Sequence, residues 1–99
     1  MEAKSQVAEI VNQDLKEAAL WYNRASRNLG LLFLKEIKEE VKQIVKNPLS
    51  YEVRYADIRI AFLKRFPYAI HFEYLETENQ INILAVLHTS RNPEIWKKR

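Results

Sequence analysis

The sequence predicts an α+β fold: an N-terminal antiparallel helical hairpin packed on a small antiparallel β-sheet, with a short C-terminal helix. Three observations carry that expectation. Apolar residues recur every three or four positions as far as Lys46, Asn47-Pro48 then interrupts the chain, and after Ser50 the apolar period drops to two. Ninety-nine residues supply material for one domain, residues 1–99, and no more.

The first helix is expected from about Val7 to Ala25, with Val7, Val11, Leu15, Ala18, Tyr22 and Ala25 on one stripe. Ser26 and Asn28 break it and are candidate caps for the next. The second helix is expected from about Arg27 to Lys46. Leu29, Phe33, Ile37, Val41, Ile44 and Val45 form its apolar stripe, and Lys35, Lys38, Glu39, Lys42 and Lys46 its wet face. So short a break between helices makes an antiparallel hairpin. The one glycine, Gly30, sits in the first turn of the second helix, where it costs about 1 kcal/mol relative to alanine. A close approach of the first helix near Trp21 or Tyr22 would account for it.

Strands follow. Ile58, Ile60 and Phe62 alternate with Arg59, Ala61 and Leu63; Phe66-Pro67 turns the chain; Tyr68, Ile70, Phe72 and Tyr74 alternate with Ala69, His71, Glu73 and Leu75. After the polar turn at 76–79, Gln80 to His88 is almost wholly apolar, which suits an inner strand covered on both faces. Short connections imply an antiparallel meander. Residues 51–57 read as an edge strand or a loop, and Met1 to Gln6 as a short first strand or none. Asn92-Pro93-Glu94 has the order of a helix start, so a terminal helix is expected from about Pro93 to Lys98, anchored by Trp96.

Composition narrows the chemistry. No cysteine is present, which removes disulfides, thiolate zinc sites and cysteine nucleophiles and suits a reducing cytoplasm. No apolar run reaches the roughly 18 residues that span a bilayer, and the polar start, Met1 to Gln6, leads into no signal-peptide core. One glycine cannot build a phosphate-cradling loop, and two histidines seventeen residues apart make no metal site. No cofactor is expected. The net charge of +3 is unevenly placed. Arg54, Arg59, Lys64 and Arg65 face only Asp57 over residues 54–65, and Arg91, Lys97, Lys98 and Arg99 face only Glu94 over the last nine. Such clusters attract nucleic acid or an acidic protein surface, or form a solvated basic face.

Arg65-Phe66-Pro67-Tyr68-Ala69-Ile70-His71-Phe72, then Ile83 through His88-Thr89-Ser90-Arg91-Asn92-Pro93 with Trp96 and Arg99 behind it, resembles the RelE/ParE toxin superfamily. So do Asp14 to Ala18, Trp21-Tyr22 and the Asn47-Pro48 stop. The likeness runs from about residue 8 to 99 and is closest to the ParE-like, plasmid-stabilisation branch. It implies the toxin of a bacterial type II toxin–antitoxin pair, neutralised by an antitoxin, with DNA gyrase or the ribosome as target. RelE-like members cleave messenger RNA on the ribosome, whereas ParE-like members poison gyrase. Ala69 stands where the ribonuclease branch commonly has arginine, and Thr89 follows His88 where that branch often has a catalytic tyrosine. Both departures lean toward a binding, non-enzymatic activity. A degenerate, non-toxic binding protein is the third reading.

Were the chain a ribonuclease, its candidate catalytic residues would be His71, Glu73, His88 and Arg91, because 2′-hydroxyl attack needs a base, an acid and a cation for the phosphate. If Ile70 and Phe72 enter the helix-covered core, His71 and Glu73 take the open face, where Arg59 and Leu63 can join them. The bland alternative makes His71 and Glu73 solvent-side strand residues and His88 a hydrogen-bonded structural histidine that locks the tail. Trp21, Tyr22, Phe33, Phe66, Tyr68, Phe72 and Tyr74 fall on apolar stripes and are expected in the core, whereas Tyr51 and Tyr55 escape them. Candidate target- or antitoxin-binding residues are Arg54, Tyr55, Arg59, Arg65, Arg91, Trp96, Lys97, Lys98 and Arg99. Exposed sheet edges would be covered by an antitoxin or in a homodimer.

Overall fold

A computed structural model describes residues 3–90 of the chain. Strand β1 (Lys4–Val7) leads into helices α1 (Glu9–Ala25) and α2 (Leu29–Lys46), then strands β2 (Val53–Tyr55), β3 (Ile58–Phe62), β4 (Tyr68–Leu75) and β5 (Gln80–His88). The sheet order is β1-β5-β4-β3-β2. β2 to β5 form the expected antiparallel meander, but β1 pairs parallel to β5, from Lys4 opposite Gln80 to Val7 opposite Ile83. The sheet is therefore mixed rather than antiparallel. Both open alternatives resolve to strands, each at a sheet edge. The expected helix at 93–98 lies outside the described residues.

The hairpin packs on one face of the sheet. Val11, Ala19 and Tyr22 of α1 and Phe33, Ile37 and Ile44 of α2 meet Ala61, Leu63, Ile70, Phe72, Ile81, Ile83 and Val86. Tyr22, Phe33, Phe66 and Tyr68 stack at ring distances of 5.0–6.2 Å, mostly edge to face, as ring quadrupoles favour. This cluster fixes the β3–β4 loop against both helices. Burial, and then the neighbouring Tyr68, raise the Tyr22 phenol above its ordinary range.

The helix junction departs from expectation in detail. Neither Ser26 nor Asn28 caps α2 through its side chain; Asn28 takes a left-handed φ of 66°. The cap comes from the other helix, because Gly30 N–H donates to Asn23 Oδ1 at 2.8 Å. A Cβ on Gly30 would overlap the Ala19 carbonyl oxygen. The glycine does mark a close helix approach, against Ala19 and Asn23 instead of Trp21 or Tyr22. Trp21 itself is 61% exposed and is not a core residue.

β5 is an inner strand, yet only partly covered on its second face. His71 pairs with Ala85 and Phe72 with Ile83, so Leu84 is an extra residue that bulges out, 42% exposed. At the far edge, Ala56 and Asp57 turn β2 into β3 with φ of 40° and 64°. Positive φ at both central residues is the twist-matched geometry of a two-residue hairpin, achieved here without glycine.

Candidate functional site

Strand register decides which of the sequence-predicted residues can meet. Ile60 is opposite His71 and Ile58 opposite Glu73, so these share the face away from the helices. Arg59 is opposite Phe72 and therefore on the helix side, where its Nη1 donates to the Tyr51 carbonyl at 2.6 Å. Leu63 is also on the helix side, in the core. The His–Glu–Arg patch allowed by alternation does not form.

Nor is His71 a solvent-side residue, because it has no exposed surface. Tyr55 of the short edge strand reaches over it, with the hydroxyl 2.7 Å from His71 Nδ1 and the rings 5.7 Å apart. Glu73 is half-buried at the end of an amide relay across three strands. Asn82 Nδ2 donates to Glu73 Oε1 at 2.9 Å, and Gln80 Nε2 donates to Asn82 Oδ1 at 2.9 Å and to Gln6 Oε1 at 3.0 Å. Arg54 lies 5.6 Å over the ring of Phe62 and 3.6 Å from Glu52, an exposed ion pair worth little by itself.

His88 pairs with Tyr68 and so belongs to the helix-side face, opposite to His71. The two histidines cannot share one substrate as acid and base. His88 Nδ1 accepts from the Ser90 backbone N–H at 3.1 Å and lies 2.8 Å from the Ser90 hydroxyl, while Thr89 N–H donates to the Pro67 carbonyl at 2.8 Å. The Thr89 contact ties the end of β5 to the β3–β4 loop, and the Ser90 contacts hold His88 to the residues that follow it. Arg91, Trp96, Lys97, Lys98 and Arg99 lie outside the described residues.

Arg65 belongs to a larger basic cleft that no local pattern in the sequence announces. The Glu36 carboxylate accepts the backbone N–H groups of Lys64 and Arg65 at 2.8 and 3.0 Å and so pins the β3–β4 loop beside α2. Lys64 and Arg65 then border a cleft of about 720 Å³ with Lys35, Lys42 and Lys46 of α2. Glu36, Glu39 and Glu40 also line it; Glu36 is engaged by the loop and Glu40 by the Tyr51 hydroxyl at 2.8 Å, so five cationic side chains face three acidic ones. Burial, and then that hydrogen bond, raise the Tyr51 phenol above its ordinary range. The lysines read as a wet helix face because their i, i+7, i+11 spacing is also that of ordinary solvated residues; only the docked loop turns them into one wall of a cleft. Tyr51, whose ring meets Phe72 at 5.5 Å, proves to be core packing.

The arrangement is suited to holding an anionic surface, and among the described residues no group of three histidine or acidic side chains could hold a metal ion. No helix of the described residues is long and apolar enough to cross a membrane.

Comparison with known proteins agrees with the fold. A structure of the chromosomal ParDE toxin–antitoxin system from P. aeruginosa superposes with a TM-score of 0.78 at 18% identity, covering 90% of this chain and 98% of that one. A double mutant of the E. coli RelE toxin in the free state gives 0.65 at 10% identity, covering 99% and 94%. The isolated E. coli RelE toxin gives 0.66 at 12%, covering 96% and 93%. No curated protein matches by sequence. The family model described as ParE toxin of type II toxin–antitoxin system, parDE, matches residues 6–93, and the chain belongs to that family.

Proposed function

We propose that this ParE-family toxin acts in the bacterial cytoplasm as a non-enzymatic inhibitor of DNA gyrase and is neutralised by a cognate antitoxin. The observation that carries the binding reading is the separation of the would-be catalytic groups. His71 is sealed beneath Tyr55, Glu73 is held by Asn82, and Arg59 and His88 lie on the other face of the sheet. General acid–base catalysis needs its groups within hydrogen-bond reach of one reacting centre. Support for an antitoxin partner comes from the family and from the ParDE system that shares the fold.

Two assays with purified protein test the reading. Supercoiling by gyrase should be inhibited at near-stoichiometric toxin while messenger in the ribosomal A site stays intact. Message cleavage that disappears in His88→Ala or Arg91→Ala, with gyrase unaffected, would establish the ribonuclease reading instead. Neither activity, with an antitoxin still bound, would identify a non-toxic regulatory binding protein.

A further inference from the structure

Helix α1 carries a second face that the core does not use. Val11, Ala19 and Tyr22 are buried, whereas Asp14, Glu17 and Trp21, three and four residues apart, line up on an exposed flank. With Tyr22, Pro67, Tyr68 and His88 they border a cavity of about 670 Å³ between the helix and the ends of β4 and β5. The aromatic wall is continuous. Trp21 stands edge-on to Tyr22 at 5.1 Å, Tyr22 to Tyr68 at 6.2 Å, and Tyr68 to His88 at 5.2 Å.

The charge of this cavity is opposite to that of the chain. The protein carries +3, yet among the described residues no lysine or arginine lines the cavity, and its acidic side chains are Asp14 and Glu17. Neither forms an ion pair with a described residue. His88, at the rim, is engaged at Nδ1 by the Ser90 backbone N–H, 3.1 Å away. An exposed tryptophan beside two carboxylates recognises a cation: the ring quadrupole attracts it, the indole covers its aliphatic stem, and the acids neutralise it.

We propose that this pocket takes an arginine or lysine side chain of the antitoxin, with the stem against Trp21 and the charged head between Asp14 and Glu17. The identity of the partner rests on the antitoxin reading above; the cation preference of the pocket does not. The two parts are therefore tested separately.

For the pocket, the full chain is titrated with N-acetylarginine amide and with its neutral isostere, N-acetylcitrulline amide, while the Trp21 indole N–H is followed by NMR. The arginine derivative should give a saturable shift and bind at least about tenfold more tightly than the citrulline one. The D14N/E17Q double variant should remove that preference; both positions are exposed, so circular dichroism should be unchanged. Equal response to both probes, or a preference that survives D14N/E17Q, overturns the pocket. For the partner, the antitoxin encoded beside the toxin gene should bind W21A and D14N/E17Q about tenfold more weakly than the parent chain. Undiminished antitoxin binding by both variants overturns the partner assignment. Failure of the parent chain to bind it at all sinks the antitoxin reading and leaves the pocket result standing.

Discussion

The two faces of the sheet are buried by different physics. On the helix side, Ala61, Leu63, Ile70, Phe72, Ile81, Ile83 and Val86 are covered by α1 and α2, and stability there comes from apolar area removed from water. On the other side, Ile58, Ile60, Ala69 and His71 are also buried but stand outside that core, and the contacts among their neighbours are polar: Tyr55 on His71, and Glu73, Asn82, Gln80 and Gln6 in series. The first face depends on apolar volume, whereas the second depends on particular atoms. Chemistry-bearing residue types on the second face are therefore not automatically chemistry. His71 and Glu73 have the composition of a catalytic pair, and the structure places both in hydrogen bonds to other strands.

The sharpest way to break this contrast is to empty the helix-side core. Phe72→Ala should cost about 3–5 kcal/mol in urea unfolding, since it loses both transfer energy and packing. A loss below about 1.5 kcal/mol would mean that the hairpin does not dominate stability. Next comes the helix junction. Gly30→Ala should destabilise by about 2 kcal/mol through its collision with the Ala19 carbonyl, although alanine is the better helix former. A gain in midpoint would show that the helices move apart easily. On the polar face, Tyr55→Phe should cost about 1 kcal/mol with the secondary structure intact, as one part-buried hydrogen bond is lost. Unchanged stability would show that the Tyr55–His71 contact does not help to hold the edge strand. The smallest effect is expected at the hairpin edge. Ala56→Gly should stabilise by about 0.5 kcal/mol, because relief of the left-handed backbone slightly outweighs the entropy glycine loses on folding. A destabilised variant would show the turn to be unstrained.

Local periodicity made much of the fold legible. The three- and four-residue spacing marked both helices, the two-residue spacing marked β3 and β4, and Asn47-Pro48 marked the change of period, because each signal depends on side-chain direction along one element. The edge strands were harder to read. β1 is short and exposed throughout, and β2 turns through Ala56-Asp57 instead of a glycine pair, so neither shows the usual signature. The parallel pairing of β1 with β5 was also hidden, since the two strands lie more than seventy residues apart in sequence.

The candidate site followed the same division. Arg54, Tyr55, Arg59 and Arg65 could be named from charge and composition, but alternation within one strand does not say which face meets which residue on the next. Register placed Arg59 opposite Phe72 and His88 opposite Tyr68, and so separated both from His71 and Glu73, the residues that a ribonuclease reading would have grouped. Tertiary packing also assembled what the sequence concealed, a basic cleft where Glu36 pins the Lys64–Arg65 loop beside α2, and an acidic aromatic pocket around Trp21. By itself the sequence determined the helices, most of the strands and the family, because those are written in local spacing and motif order. Only the tertiary structure decided the mixed sheet and the company each charged or aromatic group keeps, because strand register and loop docking join residues that no local pattern connects.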